Sequence, residues 1–313
     1  FFLLTIFLFN INCFASAQEI ELESKSAILI ETETGKEIIE KNADEDGSII
    51  NDLRQLIEPQ VLRRMKHDVA ELPKKIEVTD CKNINISALQ RKLYMQVSND
   101  CKSLSEEGKK GVMLAALHDM RMICAHPFKF DETASIKESP KVEWLVNTLG
   151  DIKQKGEKVI IFTEFRDIQV FLKRIILERF GLNVTTVNGD SNTNSRKGLT
   201  RQAIIDKFQE TDGFNIILLS TVAVGFGVNI QKANHVIHYT RSWNPAKEDQ
   251  ATDRAYRIGQ DKEVFVYYPS IYAHDFETFE IKLDKLLASK RSLADDMLEP
   301  NVEITQELMQ SIS

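Results

Sequence analysis

After Lys141 the chain repeats one local pattern: apolar runs of four to six residues alternate with amphipathic stretches. The runs are Lys158–Thr163 (KVIIFT), Leu182–Val187, Asn215–Ser220 (NIILLS), His235–Tyr239 and Val264–Tyr268. Helical patterns lie between and after them, at Asp167–Phe180, Arg196–Gln209, 246–257 and 275–298. A strand that is apolar at nearly every position has no solvent face. It belongs in a parallel sheet covered by helices on both sides. The pattern predicts a three-layer α/β domain over residues 141–300. Ligands of such sheets bind on loops off the carboxyl ends of the strands.

Residues 52–140 have a different texture. Residues 54–77 (RQLIEPQVLRRMKHDVAELPKKIE) are basic and helical in pattern, ending at Pro73. One helix follows Ser87 as its cap and carries Leu89, Leu93 and Val97 on one stripe. A second runs from Val112 to Cys124 and ends at His126-Pro127, and a charged loop covers 131–140. This segment is expected to be a helical linker or brace. With 42% apolar residues, 28% charged residues and 7 prolines, a disordered or low-complexity chain is excluded. The cysteines Cys13, Cys81, Cys101 and Cys124 lie far apart with no CxxC pair, which excludes a disulfide scaffold and argues against a zinc site.

The net charge of −7 has one source: residues 18–46 hold ten acidic residues and three lysines, and the rest balances. Residues 1–17 carry no charge. Their apolar part, FFLLTIFLFNINCF, falls short of the roughly 20 residues a spanning helix needs. Ala15-Ser16-Ala17 follows, as at a signal-peptidase site, so 1–17 is expected to be an export signal lacking its basic start, and the chain a fragment. Within the acidic stretch 18–50, Ala27–Ile30, Thr34-Gly35 and Glu37–Ile39 suggest a hairpin. This stretch resembles the mature start of secreted serine D-Ala-D-Ala carboxypeptidases. No serine here has a lysine three residues later, so the S-x-x-K nucleophile motif of that family is absent.

The chemistry-bearing residues concentrate between Leu218 and Gln260. If 246–257 is one helix, Gln250, Arg254 and Arg257 fall on one stripe, beside a packing face of Ala251, Ala255 and Ile258. Two arginines and a glutamine suit an anion such as a triphosphate. The same stripe also suits a solvated charged face balanced by Glu248 and Asp253. Gly225, Gly227 and Asn229 follow the strand end at Ser220-Thr221, as a phosphate-cradling loop or simply a tight turn. His235 and His238 point to opposite faces of their strand, as structural side chains do, and no metal set is expected. Trp243 is either a surface or a core aromatic.

As a string, QATDRAYRIGQ (Gln250–Gln260) resembles the last motif of SWI/SNF-type ATPases in helicase superfamily two. Other blocks agree in order. VLRRMK (Val61–Lys66) with Leu72-Pro73 is similar to the lobe-joining segment. MRMICAHP (Met120–Pro127) is similar to the family's L-R-x-x-C-x-H-P block, and KVIIFTEF (Lys158–Phe165) to motif IV. The resemblance covers roughly residues 53–298. It departs at Val224, where the family usually has glycine, and at Val228, where it has leucine.

This resemblance implies a RecA-like C-terminal lobe with ATP and Mg²⁺ bound between it and a first lobe, supplied in cis or in trans. Arg257 and Arg254 match the arginine fingers. Gln250, Asp253, Gly225, Gly227 and Asn229 would line the nucleotide cleft. Thr163, Arg196, Ser220, Thr221 and Trp243 would lie toward the backbone of double-stranded DNA. Neither G-x-x-x-x-G-K-[ST] nor D-E-x-H occurs in the sequence, so inactivity of this chain alone is expected. The resemblance places this part in the cytoplasm, without a membrane span. The export signal conflicts with that and suggests a junction near residues 46–53. The alternatives are a remnant of a cell-wall carboxypeptidase and a non-catalytic module that docks on a first lobe.

Overall fold

The computed structural model describes residues 27–30, 37–41, 72–106, 111–187, 200–221 and 228–298. Of 27–30, 37–41, 105–106 and 293–298 it describes the backbone alone. The proposed signal (1–17), the lobe-joining block with Arg63, Arg64 and Lys66, and the residues Arg196, Gly225 and Gly227 lie outside these. The chain divides into two compact units, residues 63–295 and residues 1–62 with 296–313. In the second, β1 (Ala27–Ile30) pairs antiparallel with β2 (Glu37–Lys41), the hairpin expected.

The larger unit is built on a six-stranded parallel sheet. Its strands are β3 (Lys75–Val78), β5 (Lys158–Phe162), β6 (Thr186–Val187), β7 (Asn215–Leu219), β8 (His235–His238) and β9 (Val264–Tyr267), in the order β3-β9-β8-β5-β7-β6. A small parallel pair joins β4 (Ile84–Asn85) to β10 (Ile271–Tyr272). The helices are α1 (Ala88–Glu106), α2 (Val112–Ala125), α3 (Pro140–Gln154), α4 (Arg166–Phe180), α5 (Arg201–Glu210), α6 (Pro245–Thr252) and α7 (Phe279–Leu298). None among the described residues is long and apolar enough to cross a membrane.

Strand alternation sets the layers. Val159, Ile161, Ile216, Leu218 and Ile237 bury against α3 and α4 through Leu145, Leu149, Ile168, Leu172 and Ile176. Ile160, Phe162, Ile217, Leu219 and Val236 bury the other way, against Ile205 and Phe208 of α5 and Ala251 of α6. At about 25 cal/mol per Å² of apolar surface, these two cores are the main stabilising term. A third cluster, of Tyr94, Ile123, Cys124, Phe279, Leu283 and Leu287, joins α1, α2 and α7. Ser87 caps α1 as expected, its Oγ accepting from Gln90 N at 3.1 Å.

Several expectations need correction, among them the helix expected from Arg196, which begins at Arg201 behind its cap Thr200. No strand is expected after Pro73, yet residues 75–78 form β3, whose full register with β9 supplies the backbone partners that a basic, half-exposed strand needs at a sheet edge. Only Thr186–Val187 of the expected strand 182–187 pairs with β7. The last helix begins at Phe279, not 275. The helix at 246–257 ends at Thr252, because the chain beyond it closes tight turns. Arg254 N bonds Ala251 O (3.2 Å), Ala255 N bonds Thr252 O (3.0 Å), and the Arg254 carbonyl is taken by Ile230 N (2.8 Å).

Candidate functional site

The early end of α6 redistributes the residues expected on one stripe. Gln250 is exposed on the helix, whereas Arg254 and Arg257 leave it on consecutive turns. Arg254 is only 8% exposed, and its Nε has no hydrogen-bond partner. Burial first, and then the charge of Arg257, holds the Arg254 guanidinium below its ordinary value. Arg257 is exposed and Asp253 half-buried, its charge partly offsetting the pair. The bond from Ile230 N to Arg254 O also brings exposed Asn229 close to Arg254. The result is two like charges three residues apart, one buried and one open to solvent, an arrangement suited to an anion.

Glu248 does not balance these arginines. It is fully buried and faces the other way, accepting from Arg241 Nε and Nη2 at 2.7 and 2.8 Å, from Ser242 N at 2.9 Å and from Arg291 Nη2 at 3.0 Å. Arg241 also pairs with Asp284 of α7 and lies 4.1 Å over the Tyr268 ring. Burial opposes ionisation of Glu248, but the bonds from Arg241 and the charges around it keep its carboxyl below the ordinary range. Two turns beyond α6, Gly259 adopts φ +96°, where a side chain is strained, and a Cβ there would meet Gln231 at 3.3 Å. Buried Gln260 donates through Nε2 to the carbonyls of Gln231, Ala233 and Ala255. The Gly-Gln end of the motif is thus a staple that sets the path of the arginines.

A second group gathers at the carboxyl ends of β5, β7 and β8. Thr221 is buried and its hydroxyl donates to Glu164 Oε1 at 2.9 Å. Trp243 is 43% exposed, a surface aromatic set edge-on against Phe279 at 5.1 Å. Ser220 is buried, with its N–H on Val187 O. Thr163, expected to face a ligand, is fully buried, and its hydroxyl accepts from Thr240. It braces β5 against the loop after β8 and reaches no surface. Arg121 lies in the MRMICAHP block and Glu164 in KVIIFTEF, but no local pattern marks either as a site residue, and only the fold brings them together with Thr221 and Trp243.

His235 and His238 are buried on opposite faces, as expected of structural side chains. His235 Nε2 meets Glu157 at 2.7 Å and Nδ1 meets Tyr267 at 3.0 Å; His238 Nε2 meets Thr252 Oγ1 at 2.9 Å. Among the described residues no group of three His, Cys, Asp or Glu side chains is arranged to hold a metal ion. Lys141 Nζ, fully buried, pairs with Glu280 and reaches the Tyr239 carbonyl at 3.4 Å, tying α3 to α7.

Comparison with known proteins matches residues 140–259 to the helicase conserved C-terminal domain and residues 2–129 to the SNF2-related domain. The second match runs through residues 46–53, where a junction was expected. The chain is 50% identical over 277 residues to Zorya protein ZorD of Escherichia coli O139:H28 (strain E24377A / ETEC), covering 85% of this chain and 26% of that protein. It is 37% identical over 279 residues to the putative ATP-dependent helicase/translocase YwqA of Bacillus subtilis (strain 168), covering 86% and 29%. It therefore spans between a quarter and a third of these relatives. Among solved structures, the Sulfolobus solfataricus SWI2/SNF2 ATPase core in complex with dsDNA matches with a TM-score of 0.55 and 34% identity over 79% of this chain and 51% of that one. The Sulfolobus solfataricus SWI2/SNF2 ATPase C-terminal domain matches with a TM-score of 0.55 and 28% identity over 73% and 91%. The parallel-sheet α/β architecture is that of a RecA-like helicase lobe.

Proposed function

We propose that this chain, which carries SNF2-related and helicase C-terminal domain sequence of the SWI/SNF type, supplies the second RecA-like lobe of an ATP-driven translocase on duplex DNA. The observation that carries the reading is the arginine pair just beyond α6. Arg254 is buried with an unpartnered Nε, and Arg257 stands exposed beside it. Such a pair fits the anionic oxygens of a triphosphate gripped from the opposite side by a first lobe. Arg257 is assigned to the γ-phosphoryl group, where it stabilises the charge that develops as water displaces ADP. Arg254 holds the neighbouring phosphate oxygens, and Gln250, Asp253 and Asn229 line the cleft. The Mg²⁺ that accompanies ATP is assigned mainly to the first lobe, whose P-loop and D-E-x-H acid would hold it.

Residues 1–313 contain neither the P-loop nor the D-E-x-H motif, so this chain is assigned no turnover of its own. Thr221 and Trp243 are assigned to the DNA backbone, with Ser220 positioning the loop beneath them. The test is DNA-stimulated ATP hydrolysis with a first lobe added in trans. Arg257→Ala is expected to lower kcat by about 10³–10⁵ while duplex binding persists. ATPase activity of the purified chain alone, lost in Arg257→Ala, would overturn the assignment.

A further inference from the structure

The Thr221 hydroxyl and the Arg121 guanidinium converge on the two oxygens of one carboxylate. Thr221 Oγ1 donates to Glu164 Oε1 at 2.9 Å, and Arg121 Nη2 lies 3.4 Å from Glu164 Oε2. The second contact is long for a charge-assisted bond, which normally closes to about 2.7–2.9 Å. Arg121 is held in place by other means. The same Nη2 donates to the Arg241 carbonyl at 2.8 Å, and the guanidinium lies 4.8, 5.4 and 6.0 Å from the rings of Phe165, Trp243 and Phe279. This guanidinium is thus fixed beside an exposed indole and only loosely satisfied by its carboxylate.

A phosphodiester presents a similar pair of anionic oxygens. We propose that Arg121 and Thr221 form a seat for one backbone phosphate of duplex DNA, and that Glu164 is an internal anion competing with the phosphate for that seat. The inference rests on the DNA-facing assignment of Thr221. A threonine hydroxyl has one proton. While Thr221 donates it to Glu164, it has none for a phosphate, so binding must displace the carboxylate.

The experiment is a salt titration of duplex binding by the full chain, read by anisotropy of a short fluorescent duplex of mixed sequence. Thermal unfolding checks that each variant folds. Glu164→Gln keeps the shape and removes the charge. It is expected to tighten binding severalfold and to steepen the slope of log affinity against log salt by about 0.9, the value for one added phosphate contact. The gain should vanish when Glu164→Gln is combined with Thr221→Val and Arg121→Gln. A gain that survives in the combined variant reports general charge repulsion and overturns the seat. Unchanged or weakened binding in Glu164→Gln overturns it as well. If neither the wild type nor Glu164→Gln binds duplex at low salt, the DNA-facing reading itself falls and takes the seat with it. Wild-type binding without the gain removes only the seat.

Discussion

At the residue scale, the end of the last motif divides into groups that face outward and groups that hold them. Arg257 is exposed, whereas Gln260 is buried and bonded to three carbonyls from two loops. A buried acceptor left without its donor costs about 1–3 kcal/mol. Gln260→Leu, close in size, is therefore expected to lower stability by at least that amount, read as a fall in the urea midpoint at constant slope. It should also lower activity with an added first lobe, since the staple fixes the turn that presents Arg257. Unaltered stability would show that the carbonyls find other donors.

At the element scale, α6 is short and is held from the side it hides. Its Glu248 is locked to Arg241 from the loop after β8 and to Arg291 from α7. Removing one partner of a buried pair leaves the other charge uncompensated, at about 3–5 kcal/mol. Glu248→Ala is expected to lose stability on that scale, by chemical denaturation. Glu248→Gln should lose less, because its carbonyl oxygen still accepts from Arg241. Equal losses would mean that the charge, not the hydrogen bonding, anchors the helix.

At the scale of the whole molecule, buried histidines make stability depend on pH. Burial pushes His238 down to about 4, and burial with the Arg174 charge does the same to His126. Below the ordinary histidine value of 6.5 the unfolded chain takes up protons that the native protein refuses, so stability falls as pH drops from about 6.5 toward 4. Glu157 adds a second, more acidic loss. Burial raises its pKa, but bonds from His235, Asn234 and Lys262 outweigh this and bring it to about 2. Its contribution is present above 4.5 and disappears as pH falls toward 2. Melting temperatures are expected to be level near pH 7 and to decline steadily below pH 6.5. A flat profile down to pH 4.5 would contradict the buried neutral histidines.

Much of the fold was legible because its signals are local. Apolar runs such as Lys158–Phe162 and Asn215–Leu219 announce doubly covered strands, and a cap at Ser87 starts a helix wherever it occurs. The fold class, the hairpin at 27–41 and the surface position of Arg257 follow from such signals and from the motif string. The strand at 75–78 is not legible locally because strand formation at a sheet edge depends on β9, about 190 residues away in sequence. The end of α6 was misjudged because the Arg254 carbonyl is captured by Ile230, not by its own helix. Sequence spacing alone determined which residue types reach the carboxyl ends of the strands. Tertiary structure alone decided that Glu248 turns inward, that Thr163 is sealed, and that Arg121 and Glu164 meet Thr221. Each of these outcomes depends on a partner far along the chain, and no local pattern encodes such a partner.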